Sequence, residues 1–230
     1  LRVIEDAAHA LGSQEGNELV GSFGDIVCFS FDGIKNITSG EGGCIVTSDE
    51  KVSRRVKDIR LLGVMNDSEA RYSGKRSWEF DVNEQGWRYH MSDLMAAIGI
   101  EQLKKLDKFR VIRQSLAVKY DKELSSLPLI QILKKDYRYV LPHIYPIILS
   151  EKINRKNLQE YLLNNGIQTG IHYKPNHLLS YYSNNSNYFL PNTESVYKRI
   201  LTLPLHADLE SEDIIYICEK IKKFLALVNN

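Results

Sequence analysis

An α/β fold is predicted by three features of the sequence. Short apolar, β-branched runs lie between turn residues, other stretches repeat their apolar residues at three- and four-residue steps, and the two patterns alternate along the chain. Leu1 to Glu5 (LRVIE), Asp25 to Phe31 (DIVCFSF) and Gly43 to Thr47 (GCIVT) read as strands, the first of them as a buried one. The glycine-rich polar stretch 12–24 has room for a helical turn and a hairpin and shows no helical period. After Ser48 the period becomes helical, with Val52, Val56, Ile59 and Leu62 on one face. Asp49 and Glu50 stand at the front of this helix, where negative charge suits the dipole, and Gly63 ends it. Residues 64–85 are polar, aromatic and aperiodic, and are expected to form a long loop over an active site or interface.

Ser92 reads as an N-cap, and Leu94, Met95, Ile98, Leu103 and Leu106 predict one long helix running to Arg113 and beyond. A break at Ser125 to Pro128 suggests a division into residues 1–125 and 126–230. Beyond it, Tyr145 to Leu149 is the best strand, and Asn154 to Asn165 is an amphipathic helix stopped by Gly166. A last helix starts at Ser211, with Glu212 and Asp213 in its first turn and Ile214, Ile217, Cys218, Ile221 and Leu225 down one face.

Composition narrows the function. The 230 residues are 43% hydrophobic and 26% charged, as in an ordinary soluble globular protein. Thirty Lys and Arg against 29 Asp and Glu leave a net charge of +1 with no dense basic stripe, which argues against nucleic acid as the main partner. Apolar runs such as Ile144 to Leu149 are too short to span a bilayer and no signal segment opens the chain, so no membrane partner and a cytoplasmic location are expected. Cys28, Cys44 and Cys218 lie in apolar runs and read as small buried hydrophobes in a reducing compartment. The chain opens on Leu1 inside an apparent strand, so it is expected to start within a domain.

Chemistry concentrates in Glu5 to His9 (EDAAH) and Phe29 to Gly43 (FSFDGIKNITSGEGG). An acid directly after one strand and a lysine shortly after another stand at sheet edges, where α/β proteins bind ligands. Pyridoxal phosphate needs a lysine to hold it as a Schiff base, a carboxylate for its pyridine nitrogen and donors for its phosphate; Lys35, Asp6 and Ser30 are candidates. Spacing alone leaves open the reading of Lys35 as a solvated surface charge. Gly40 to Gly43 match neither a phosphate loop nor GxGxxG, and are taken to permit a tight backbone path. His172 and His177 lack a nearby third ligand, and Pro175 excludes a regular helix presenting both rings, so no metal site is expected.

Taken in order, EDAAHALGS, FSFDGIKNITSGEGG, GWRYHMSDLMAAIGIEQL, GIQTGIHYKPNH and LTLPLHADL closely resemble the successive signature blocks of the DegT/DnrJ/EryC1/StrS aminotransferases. The resemblance runs from Leu1 to the final helix. It implies a fold type I pyridoxal phosphate transferase, with residues 1–125 as the C-terminal portion of the large domain and 126–230 as the small domain. By the same resemblance Lys35 holds the cofactor and later shuttles the proton, while Asp6 pairs with the pyridinium and makes the ring an electron sink. His9 matches a position against the ring, with a polar residue at a helix start as the alternative. Ser30 matches a phosphate-binding hydroxyl, with a bond to neighbouring backbone as the alternative.

The WRYHM block of the family reaches the neighbouring subunit's cofactor phosphate, which implies a homodimer with the active site at the interface. Here Arg88 stands where many members have Asn, and His90 where many have Arg. Arg88 and His90 are therefore open to three uses: a phosphate oxygen, the substrate's nucleotide, or packing. Tyr173 and His177 match the sugar-binding end, and His143 and His206 are taken as structural. The implied reaction moves an amino group from L-glutamate to a nucleotide-linked 4-keto sugar for lipopolysaccharide, O-antigen or another surface glycan. C4 amination is preferred because GIKNITSGEGG differs from the PGKN and GDAG-like form of C3 enzymes. The alternatives are C3 amination, a non-catalytic remnant with unpaired sheet edges, and a nucleotide-binding module in which Lys35 only touches phosphate.

Overall fold

The computed structural model describes residues 1–65, 73–75, 80–183 and 188–229. The expected loop over 64–85 therefore lies partly outside the described residues. The chain divides into two compact units, Leu1–Asp107 and Lys108–Asn230.

In the first unit, β1 (Ile4–Asp6), β4 (Ile26–Ser30) and β5 (Gly43–Val46) form a sheet in the order β1-β4-β5. β1 runs parallel to β4, with Asp6 opposite Cys28, and β5 is antiparallel to β4, with Ser30 opposite Gly43. The glycine-rich stretch between β1 and β4 holds the expected hairpin, β2 (Gln14–Glu15) against β3 (Glu18–Leu19). Gly16 turns it with φ +59°. Val27 and Phe29 alternate onto the same face of β4 and bury against Ala7.

Several apolar side chains of this unit are exposed. Leu1, Val3 and Ile4 are exposed, so the expected buried strand is a short exposed one with a single sheet neighbour, β4. Cys44 lies on the exposed outer strand β5 and Cys28 is half-buried; of the cysteines expected to be buried, only Cys218 is. α1 (Glu50–Ile59) begins at Asp49, whose carboxylate accepts the Lys51 and Val52 N–H groups, as the sequence predicts. The predicted long helix is two. Ser92 caps α2 (Asp93–Leu103), the ladder tightens where Lys105 N–H reaches the Gln102 carbonyl, and α3 (Leu106–Leu124) follows. Neither α1 nor α2 has a buried residue, and Leu94 is 81% exposed.

The sequence reading divides the chain after residue 125; the compact units part instead in the first turn of α3. Leu116, Ala117, Tyr120 and Leu124 explain the difference, since they bury in the core of the second unit and carry the helix with them. That core rests on an antiparallel sheet in the order β6-β7-β8, made of β6 (Ile130–Ile132), β7 (Tyr145–Leu149) and β8 (Ile200–Leu203). β7 is buried on both faces, which accounts for its unbroken apolar run. Leu158 and Leu162 of α4 (Arg155–Asn164) and Ile214, Ile217 and Ile221 of α7 (Ser211–Asn229) join the same cluster. A short 3₁₀ turn (Asn176–Leu178), α5 (Ser180–Ser183) and α6 (Pro191–Arg199) connect α4 to β8.

Polar groups also sit inside this apolar unit. Arg113 Nη1 donates to the carbonyls of Leu205 at 3.0 Å and His143 at 3.2 Å, and reaches that of Pro142 at 3.5 Å. Burial pulls its pKa below the ordinary arginine value. The rings of Tyr120 and Tyr145 stack 4.5 Å apart, with the Tyr145 hydroxyl donating to Asp121 at 2.6 Å and the Tyr120 hydroxyl to the Pro204 carbonyl at 2.9 Å. Among the described residues no helix is long and apolar enough to cross a membrane.

Candidate active site

The candidate residues fall in three places. The first is the C-terminal end of the parallel pair β1 and β4, where the geometry of open α/β sheets directs ligands. Asp6 ends β1, and its carboxylate accepts the Ala8 N–H at 3.1 Å, opening the turn that carries His9. Ser30 ends β4 on the adjacent strand, and its Oγ accepts the Asp32 N–H at 3.3 Å, which leaves the hydroxyl proton available to another acceptor. The chain then turns sharply. Ile34 N–H donates to Asp32 Oδ1 at 3.0 Å and Lys35 N–H to the Asp32 carbonyl at 3.0 Å, so Lys35 is presented from a bonded turn that follows the end of β4.

Asn36 ties these loops together. It is 5% exposed and donates from Nδ2 to the Leu11 carbonyl at 3.1 Å, joining the Lys35 turn to the segment that follows Asp6 and His9. Of the glycines expected to permit a tight path, Gly42 and Gly43 do so, while Gly40 faces open space. A Cβ on Gly43 would lie 2.3 Å from the Phe29 carbonyl oxygen, and one on Gly42, at φ +129°, would lie 2.6 Å from Met91 Cε. Ser39 is fully buried there and donates to the Glu41 carbonyl at 2.7 Å. An exposed aspartate at the end of β1, a serine hydroxyl at the end of β4 and a half-buried lysine in the turn that follows fit the donor set that pyridoxal phosphate needs.

Arg88 and His90 occupy a second place in the same unit. Trp87 N–H donates to the Ile59 carbonyl and Tyr89 N–H to that of Arg60, so this segment runs back along the C-terminal end of α1. Gly86 makes the approach possible, since a Cβ there would lie 2.0 Å from Gly63 N. Arg88 and His90 line a cavity of about 910 Å³ together with Cys44, Ile45 and Val56, and none of Asp6, His9, Ser30 or Lys35 lines it.

Tyr173 and His177 form the third place, in the second unit. Gly170 exchanges backbone hydrogen bonds with Thr202 of β8, and the His172 ring meets Thr202 Oγ1 at 3.0 Å. Tyr173 follows with 54% exposure, its ring edge-on to that of His172 at 4.7 Å. The His177 side chain is only 8% exposed, and its Nε2 lies 3.2 Å from Glu194 Oε1. The bond from His177, and then the Leu190 N–H, hold the Glu194 carboxyl below the usual carboxylate range. Sequence reading passed over Asn36 and Glu194. Asn36 is signalled only by its place beside the lysine, and Glu194 only by its place in the first turn after Pro191. No cluster of three or more metal-ligating side chains occurs among the described residues.

Comparison with known proteins gives this chain a family and relatives. The family model described as the DegT/DnrJ/EryC1/StrS aminotransferase family matches residues 1–222. The chain is 36% identical over 232 residues to the UDP-4-amino-4,6-dideoxy-N-acetyl-beta-L-altrosamine transaminase of Campylobacter jejuni serotype O:2, covering 96% of this chain and 60% of that one. It is 32% identical to the spore coat polysaccharide biosynthesis protein SpsC of Bacillus subtilis, over 96% of this chain and 59% of the relative. Among solved structures, Helicobacter pylori PseC, an aminotransferase involved in the biosynthesis of pseudoaminic acid, superposes with a TM-score of 0.87 at 31% identity, over 97% of this chain and 59% of that one. The chain thus spans about 60% of the length of the relatives it matches.

Proposed function

This chain belongs to the DegT/DnrJ/EryC1/StrS aminotransferase family, and from that premise we propose that it carries the lysine-bearing part of a pyridoxal phosphate-dependent sugar aminotransferase. The observation that supports the reading is that Asp6 and Ser30 end two adjacent parallel strands and the Lys35 turn follows the second of them, bonded through Asn36 to the Leu11 carbonyl in the segment after His9. The substrate is a nucleotide-linked 4-keto sugar, the amino donor L-glutamate, and the product an amino sugar for a surface glycan. The amino group at C4 in the name of the Campylobacter relative supports that position over C3.

Pyridoxal phosphate, when bound, supplies an electron sink for the charge left when a proton leaves the donor carbon. Asp6 holds the proton on the pyridine nitrogen through its carboxylate, already oriented by the Ala8 N–H. Ser30 donates its hydroxyl proton to a phosphate oxygen. Lys35 Nζ is the base that takes the proton from the glutamate carbon and the acid that returns one to the sugar carbon. His9 packs against the ring. Arg88 or His90 meets a phosphate or the nucleotide, and Tyr173 the sugar, in a cytoplasmic homodimer with the site at its interface.

The test is to incubate the protein with pyridoxal phosphate, glutamate and nucleotide-linked 4-keto sugars and to seek the amino sugar by mass spectrometry. Formation of the 4-amino sugar that disappears in Lys35→Ala is the expected result; its absence with every such sugar overturns the reading.

A further inference from the structure

We propose that Glu194 is a positioning residue that anchors His177 and thereby fixes the turn that presents Tyr173. The inference rests on the reading of Tyr173 as a sugar contact and adds a residue which that reading did not contain.

Tyr173 stands between two histidines, each tied to a different element. On one side the His172 ring is bonded to Thr202 of β8 at 3.0 Å. On the other, His177 is held at 3.2 Å by Glu194, in the first turn of α6. Glu194 Oε1 also accepts the Leu190 N–H at 3.3 Å, so one carboxylate oxygen joins the 3₁₀ turn Asn176–Leu178 to the start of α6 across 17 residues.

Among the described residues, apolar burial does little to close this excursion. Tyr181, Tyr182, Tyr188 and Phe189 are 50 to 79% exposed, and neither the 3₁₀ turn nor α5 nor α6 has a buried residue. The His177 side chain is only 8% exposed, and its ring meets a carboxylate. A hydrogen bond to a charged partner is directional and costly to leave unmade when enclosed, so it fixes position where packing does not. Loss of Glu194 frees the His177 end of the turn while the His172 end stays on β8.

The test follows chymotrypsin cleavage after Tyr173, Tyr181 and Tyr182 in the intact chain at low protease, where the rate reports how often the segment opens. Glu194→Ala and His177→Ala are each expected to speed cleavage about tenfold, and the double variant no more than either alone, because both remove one interaction. Glu194→Gln, whose amide oxygen still accepts from the ring N–H, is expected to stay within about twofold of the unmodified chain. Independent, multiplying effects of the two alanines, or unchanged cleavage in both, overturn the proposal. So does a Gln variant as fast as the Ala variant.

In the aminotransferase assay, Glu194→Ala is expected to raise the KM for a UDP-linked 4-keto sugar about tenfold with a smaller effect on kcat. A fall in kcat at unchanged KM overturns the positioning role. Absence of any turnover in the unmodified protein counts against the aminotransferase reading, and the cleavage series then decides the anchor by itself.

Discussion

Replacing Arg113 by Met is expected to destabilise the second unit by about 3 kcal/mol. Arg113 is 6% exposed and lies among apolar neighbours of α3, yet its Nη1 serves the carbonyls of Leu205 and His143 at 3.0 and 3.2 Å. Hydrogen bonds involving a charged group contribute roughly 1.5–3 kcal/mol each, so the two sum to roughly 3–6 kcal/mol. Methionine removes a buried charge whose desolvation opposes folding, which offsets part of that sum and leaves about 3 kcal/mol. The third contact, to Pro142 at 3.5 Å, is at the limit of hydrogen bonding and adds little.

For a unit of this size the loss corresponds to a fall in melting temperature on the order of 10 °C. Far-ultraviolet circular dichroism follows the melt, and near-ultraviolet signal from the stacked Tyr120 and Tyr145 assigns it to the second unit. Arg113→Lys keeps the charge on one nitrogen and is expected to fall between the two. A methionine variant melting within about 2 °C of the original refutes the reasoning, because the carbonyl contacts would then carry no net energy.

Two further outcomes follow from the structure. Gly43→Ala places a methyl 2.3 Å from the Phe29 carbonyl across the β4–β5 pair and is expected to cost about 3 kcal/mol, read by urea denaturation, whereas the exposed Leu94→Ala changes stability by less than about 1 kcal/mol. Burial raises the pKa of Tyr120, Tyr137 and Tyr145 above the ordinary phenol value, and the Asp121 charge adds to this for the latter two. A raised folded value means the neutral phenol is favoured in the fold: the stability is complete below the unfolded pKa of about 10 and is lost as pH climbs beyond it. The expected result of an alkaline titration is that these phenolates appear together with loss of the circular dichroism signal. Their ionisation in a still folded chain contradicts the assignment.

Local signals in the sequence carried far where the physics is local. Asp49, Ser92 and Asn154 each cap the helix they were expected to open, and Gly166 closes α4 with φ +76°. The strand ends bearing Asp6 and Ser30 were legible from apolar runs and turn residues. What depends on distant partners was not. The break between α2 and α3 falls at Lys104 and Lys105, neither a helix breaker, and β8 is a four-residue run whose pairing with β7 no periodicity announces. α6, directly before β8, was passed over as well. Arg113 read as one more residue along a helix, and only the tertiary fold turns it inward. His177 read as a substrate contact; the fold brings it to Glu194, a contact between residues 17 apart that local pattern cannot encode.

The central claim is that Lys35 is the cofactor lysine, and its most direct test is borohydride reduction after titration with pyridoxal phosphate, followed by peptide mapping. A pyridoxyl group is expected on the peptide containing Lys35 and none in Lys35→Ala, with loss of the visible absorbance band when glutamate is added before reduction. Labelling at another lysine, or binding of pyridoxal phosphate that survives Lys35→Ala unchanged, would contradict it.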